Sequence, residues 1–248
     1  AVATQSYVNT SYGPNGLALL AQGLTAQEAL DQLVAGDEER ASRQAGVVDA
    51  QGRAATFTGD ECYDWAGGIT GQNYAVQGNI LVSEATVEAM AGAFGQAEGE
   101  LADRLVAALA AGQAAGGDRR GQQSASVLVV REGGGYGGHN DRYMDLRVDD
   151  DPAPIERLKS LVDLHHLFYK PIAPGEMVTI EGDLAREEQL ILLRAGYYEG
   201  AINGEYDLAT KAALSAMVSS ENFEARFDEE KGLISQQVME IFRRRFTS

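Results

Sequence analysis

Residues 116–126, reading GGDRRGQQSAS, constrain the fold of this chain more than any other segment. They follow a long stretch with apolar residues at helical spacing and precede a short hydrophobic run at 127–130. Two glycines end the helix, because glycine accepts the positive φ that helix termini often need. Asp118, Arg119 and Arg120 sit on the turn, and Gln122, Gln123 and Ser124 lead into a strand. Amides and hydroxyls where a buried strand begins cost free energy unless they are hydrogen-bonded or used. The pattern predicts the polar rim of a site at the end of a sheet.

The rest of the chain organises around that turn. Residues 1–8 read as a strand and residues 9–16 (NTSYGPNG) as turn chemistry, followed by a short helix over 17–22. Thr25 and Glu28 form a capping box for a helix with Leu30, Leu33 and Val34 on one face. Residues 44–49 and 53–58 read as a hairpin, residues 59–73 as mostly loop, and 74–82 as a strand. Ser83 is the natural N-cap of a helix with Val87, Met90, Ala91 and Phe94 inward. A longer helix spans 98–115, then strands are expected at 124–131 and 143–149, the second alternating Met144, Leu146 and Val148 with charged residues. A helix from Pro152 ends near Tyr169, Pro171 and Pro174 mark a linker, and helices over 187–195, 208–218 and 235–246 form a mostly helical module. There is no internal repeat. Strands in antiparallel pairs with helices grouped between them suit an α+β protein of stacked sheets covered by helices.

Composition removes several function classes. A chain of 248 residues with net charge −17 has no basic cluster long enough to follow a phosphate backbone, which argues against nucleic acid and anionic membranes as partners. Arg243, Arg244 and Arg245 suit a helix C-terminus. Cys62 is the only cysteine, so intramolecular disulfides and cysteine-rich metal sites are excluded. No apolar run reaches membrane-spanning length. The start at Ala1-Val2-Ala3-Thr4, already strand-like, suggests an upstream piece, and the compartment is not legible.

The blocks AVATQSYVN, YGPNGLALL, RQAGVVDAQGR, TGDECYDWAG, ITGQNYAVQGNIL, AGGDRRGQQSAS and DLRVDDDPAP, in that order, resemble the DUF1028 family. The segment LLRAGYYEGAINGEYDLATKAAL resembles the peptidoglycan-binding domain that accompanies DUF1028 in some proteins. The resemblance implies a four-layer αββα sandwich of the N-terminal nucleophile hydrolase kind over residues 1–172, lacking its first strands, and a small helical domain over 178–248. In such hydrolases a Thr, Ser or Cys at the chain start attacks an amide. Ala1 has no nucleophilic side chain, so the chain carries the walls of such a site without its attacking group.

The candidate site residues are the polar ones at strand ends. Gln122, Ser124 and Asn79 suit oxyanion stabilisation, since neutral donors polarise a carbonyl without titrating. Thr4, Gln5, Ser6, Gln77, Asp118 and Arg120 suit substrate binding, with Arg120 able to fork a carboxylate. The same amides could instead pair with one another inside a sandwich, and Asp118 with Arg120 could be an ordinary turn ion pair. Tyr197, Tyr198 and Asn203 are candidates for glycan contact, or equally for helix packing. The Gly-rich run at 133–138 before His139 reads as a hairpin tip. His165 and His166, about 100° apart on a helix, cannot face one metal together. Asp149, Asp150 and Asp151 read as the cap of the helix that follows, and Cys62 as structural. No metal and no cofactor is expected. A small amide or peptide and peptidoglycan are the expected partners, and a homo-oligomer is left open. The function expected is hydrolysis of a small amide or peptide bond, with a non-catalytic binding or scaffold protein as the alternative.

Overall fold

Ala45 and Val47 lie two residues apart on one strand and Val47 stands opposite Ala55 on the next, so all three project from one face of an antiparallel sheet and close the first core. The computed structural model describes residues 1–173 and 175–246. The fold is mixed α/β and divides into two units, Ala1–Val162 and Asp163–Ser248.

In the first unit, β2 (Gln44–Val48) lies between β1 (Val2–Gln5) and β3 (Ala54–Thr58), antiparallel to both. Helices α1 (Tyr12–Ala21) and α2 (Ala26–Ala35) cover one face, burying Tyr12, Leu30 and Leu33 against the sheet. The hairpin β4 (Gly67–Gly71) and β5 (Tyr74–Gly78) packs on the other face. Beyond the hairpin lies α3 (Ala85–Gln96), which packs along α4 (Leu101–Ala114). Strands β6 (Ala125–Val130) and β7 (Arg142–Val148) form a further pair whose buried side holds Val127, Val129 and Met144 against α4. Helix α5 (Pro154–Tyr169) adds Leu158 and Val162 to that cluster, and the unit boundary falls within it.

The elements differ from the sequence expectation where a local rule is overridden. Helix α1 begins at Tyr12, through the GPNG segment expected to turn, because Pro14 occupies its first turn and needs no N–H partner there. Strand β4 occupies a segment expected to be loop. Its GGITG sequence carries little strand signal, yet Gly68 lies so close to Thr56 that a Cβ would fall 2.7 Å from the threonine oxygen. The cap of helix α3 falls one residue past the expected Ser83, at Glu84, and the Ser83 carbonyl accepts from the Thr86 N–H (3.2 Å). Strand β6 begins after Ser124, and β1 ends at Gln5. The capping box at Thr25 and Glu28 forms as the spacing predicts.

The second unit is mainly helical: α6 (Gly182–Ala195), α7 (Leu208–Ser220) and α8 (Gln236–Phe246) enclose Ile191, Leu192, Leu214, Met217 and Phe242. It also contains a small sheet ordered β8 (Met177–Thr179), β10 (Leu233–Ser235), β9 (Phe227–Asp228), which the helical reading omitted. Pro174, expected in the linker, lies outside the described residues. Buried Arg226 donates to the carbonyls of His166 (2.8 Å), Leu167 (2.5 Å) and Lys170 (2.5 Å), so a cation closes the C-terminus of α5, where the helix dipole favours it. No helix among the described residues is long and apolar enough to cross a membrane.

Glu188 is the anomaly of this core. It is 0 % exposed, and neither carboxylate oxygen has a hydrogen-bond partner. Burial raises its pKa to about 8, Glu187 adds to the rise, and Arg243 opposes it. A carboxyl that binds its proton more tightly folded than unfolded stabilises fully below the unfolded pKa and loses that stabilisation as pH rises to the folded value. Thermal unfolding followed by circular dichroism is therefore expected to show stability falling between pH 4.5 and 8. Glu188→Gln should remove that slope and be more stable at pH 8 by on the order of 3 kcal/mol. An unchanged slope in Glu188→Gln would refute the assignment.

Candidate functional site

Gln44 opens β2 as a polar residue in an otherwise apolar strand and is 0 % exposed. It faces the β4–β5 hairpin. Its amide nitrogen donates to the Thr58 hydroxyl (2.9 Å) and to the carbonyls of Gly78 (2.8 Å) and Gly67 (3.2 Å). Its amide oxygen accepts from Gln5 Nε2 (2.7 Å) and Asn79 Nδ2 (3.3 Å). Gln5 also reaches the carbonyl of Gln77 (3.5 Å). The Gln77 side chain lies over Gly46, where a Cβ would stand 2.4 Å from Oε1, so a larger residue there would displace the Gln77 amide. Gln5 and Asn79 thus bond a residue that the sequence reading did not single out, while Gln77 joins them only through its backbone carbonyl, its own buried Oε1 having no partner. Thr4 does not join them: Val2 packs toward α1 and α2, and Thr4, two residues on, shares that face.

One step from this network the chain leaves β1 through Ser6 and Tyr7, both at positive φ (58° and 44°). The Tyr7 hydroxyl lies 3.1 Å from that of Tyr63, and both rings are exposed. Cys62, beside Tyr63, donates its thiol to the Arg43 carbonyl (3.3 Å), which gives it a structural contact. The hydrogen bond from Ile80 N to Tyr63 O (3.0 Å) brings the Asn79–Ile80 peptide to the same place.

The turn after α4 pairs with the next residues along. Arg119 N donates to Ile80 O (2.8 Å), Val82 N to Gly117 O (3.0 Å), and Leu81 bridges Asp118. Alternation then sends adjacent side chains to opposite sides. Arg119 turns back to the carbonyls of Asp64 and Leu81. Asp118 and Arg120 form a two-pronged pair (2.9 and 2.6 Å) at a recess of about 500 Å³, which Gln113, Gln122, Gln123 and Ser124 also line. The Arg120 guanidinium holds the Asp118 carboxyl below the usual carboxylate range. Gln122, Gln123 and Ser124 are exposed and precede β6. Their polarity is that of side chains facing an open recess and not of residues entering a buried strand.

The proposed sites thus fall into two groups on either side of residues 80–82: the amides around Gln44 behind the tyrosine pair, and the rim of the recess. Asn79 belongs to the first group, Gln122 and Ser124 to the second.

In the second unit Tyr198 is buried and its hydroxyl donates to Ala201 O (3.0 Å). Asn203 Oδ1 accepts from Gln189 Nε2 (2.8 Å) and Glu205 N (2.9 Å), and Gln189 also donates to Thr210 Oγ1 (3.0 Å). These contacts build the 197–207 loop from inside. Tyr197 presents part of its ring to solvent.

A family model described as a "Family of unknown function (DUF1028)" matches residues 1–158. The chain belongs to the DUF1028 family. A second model, described as a "Putative peptidoglycan binding domain", matches residues 167–242. The crystal structure of a DUF1028 protein from Silicibacter pomeroyi is similar, with 29% sequence identity and a TM-score of 0.60, over 75% of this chain and 72% of that one. No curated protein matches the chain.

Within this DUF1028 unit, Gln44 could have been found by the reasoning applied to residue 122, since both are amides at the foot of an apolar strand. Tyr7 and Tyr63 carry no comparable signal, because exposed tyrosines in loops are ordinary. Gln44→Leu keeps the volume but strips the partners of Gln5, Asn79 and the Gly78 carbonyl. Urea unfolding, read by the fluorescence of Trp65, should show a loss of about 3 kcal/mol. A loss below about 1 kcal/mol would mean that the amides re-pair without it.

Proposed function

We propose that this protein provides the framework of an N-terminal nucleophile type hydrolase acting on a small amide or peptide bond, attached through its second unit to cell-wall glycan. One observation carries the reading. Three strand edges, β1, β5 and β6, are the unpaired ends of their sheets and border a single groove of about 540 Å³. Ala3, Gln77 and Leu128 line it, over Phe94 and Leu105 from α3 and α4. Unpaired N–H and C=O groups beside an apolar floor call for further strands. Strands added there would join the hairpin to β6 and complete an αββα sandwich.

In this reading Gln122 and Ser124 donate to the oxyanion that forms when an amide carbonyl is attacked, and Asn79, bonded to Gln44, supports the wall on the other side of residues 80–82. They are neutral, so their donation does not depend on pH. Asp118 and Arg120, paired at rest, separate to hold the charged ends of a peptide-like substrate. Gln5, Ser6 and Gln77 shape the wall behind, and Thr4 supports β1 from the helix side. The alternative, a binding protein without catalysis, is favoured by the match of the second unit to a peptidoglycan-binding domain.

Two measurements separate these readings. The protein with its natural N-terminus, established by mass spectrometry, is expected to begin with Thr, Ser or Cys and to release free amine from a library of dipeptides and acyl amino acids. Gln122→Ala and Ser124→Ala should then each lower kcat by about 100-fold. A natural N-terminus of another type, or turnover unchanged in both variants, would reject the catalytic reading. Co-sedimentation of the whole chain with insoluble peptidoglycan is expected, weakened several-fold by Tyr197→Ala. A chain that stays in the supernatant would reject glycan attachment.

A further inference from the structure

Among the described residues, five other than glycine have positive φ: Ser6, Tyr7, Asn73, Ile80 and Asn222. The two asparagines are at home there, because their short polar side chains tolerate left-handed turns. The remaining three, including a β-branched isoleucine, all meet at the Tyr7–Tyr63 pair: Ser6 and Tyr7 carry one ring, and Ile80 donates to the backbone of the other. Strained backbone persists only where its surroundings over-determine it, and it concentrates at ligand clamps.

What over-determines it here is a buried ion pair. Arg43 donates to the Tyr7 carbonyl while pairing with Asp37 (3.0 Å) and Glu39. Asp37 also accepts from Asn9 Nδ2 (3.0 Å) and Glu39 N (2.9 Å), and these bonds hold its carboxyl well below the usual range. Asn9, Asp37 and Arg43 therefore grip the chain on the far side of Tyr7. The two rings themselves do little to close the core, since Tyr7 is 63 % exposed and Tyr63 57 %.

We propose that the Tyr7–Tyr63 pair is the substrate-contacting ledge of the site, that it accepts a neutral amide carbonyl, and that Arg43, Asp37 and Asn9 are positioning residues for it. The assignment rests on the amide-hydrolase reading and names which part of the substrate is bound. Two hydroxyls 3.1 Å apart share one hydrogen, so the second hydroxyl hydrogen is free to donate outward. The ring centroids lie 6.3 Å apart at 48°, offering an apolar face beside that donor. A neutral ligand is favoured because exposed Asp60, Glu61 and Asp64 flank Tyr63 on its own loop, while of the nearby cations Arg43 is already paired with Asp37 and Glu39 and Arg119 alone, on the Asp64 carbonyl, offsets them.

The test is NMR of the whole chain with ring-labelled tyrosine, titrated with N-acetylalaninamide and, separately, with acetate. The neutral amide should shift the Tyr7 and Tyr63 ring signals. Tyr7→Phe and Tyr63→Phe should each weaken its binding about 10-fold, and acetate should bind less well. Asn9→Ala, milder than loss of Arg43, should move the Tyr7 signals in the absence of ligand and weaken binding while leaving the fold intact. Unmoved ring signals, unchanged affinity in both Phe variants, or tighter binding of acetate would each overturn the proposal. Unmoved Tyr7 signals in Asn9→Ala would overturn the positioning role. Amide binding at the ledge without turnover would reject hydrolysis alone. Turnover with KM unchanged in both Phe variants would reject the ledge alone.

Discussion

The first unit depends on one buried amide. Gln44 stands where β2 faces the β4–β5 hairpin, and its side chain bonds β1, β3 and both strands of the hairpin or their continuations. Apolar contact alone would let two sheets slide, because it has no direction. An amide with two donors and an oxygen has a direction for every partner, and in a dry environment each unmade bond costs more than the made one returns. The register of hairpin on sheet is therefore set by Gln44. With it are set Gln5, Gln77 and Asn79, and at one remove the peptide that carries Tyr63 and the turn that carries Asp118.

The second unit uses the same device and also shows what its absence costs. Gln189, buried on α6, satisfies its amide against Asn203, Gly204, Glu205 and Thr210, and so fixes the loop that carries Tyr197. Its neighbour Glu188 is equally buried and has no such partners. The protein meets the penalty by keeping the carboxyl protonated toward neutral pH instead of supplying a cation, since Arg243 is engaged by Glu187 (2.8 and 2.9 Å).

How much of this was legible follows from the length and composition of each element. Helices α2 and α4 and strand β7 announce themselves because an apolar period repeats across them. The hairpin of β2 and β3 does so through two short strand-like runs on either side of the turn at Ala50, Gln51 and Gly52. Strand β4 does not, because GGITG has side chains too small to display a period, and β8 to β10 are two or three residues long. The amides at 5, 77, 79 and 122–124 stood out as polar residues beside apolar strands. Their division into two groups did not, because it depends on which edge residues 80–82 pair with. The separation of Thr4 from Gln5 follows from alternation along β1 once that strand's partner is known.

The turn at 116–126 has two separable parts. Its backbone belongs to the fold: Gly117 and Arg119 bond residues 80–82 as a strand would, and Gly116 and Gly117 take the positive φ (127° and 63°) that lets the chain leave α4. Its side chains on the recess side do not serve the fold in this way. Gln122, Gln123 and Ser124 are exposed, and the Asp118–Arg120 pair spans a gap of two residues on the surface, where an ion pair contributes about 1 kcal/mol or less. Five polar side chains gathered at a recess contribute little stability, so the fold constrains them far less than it constrains the backbone that carries them.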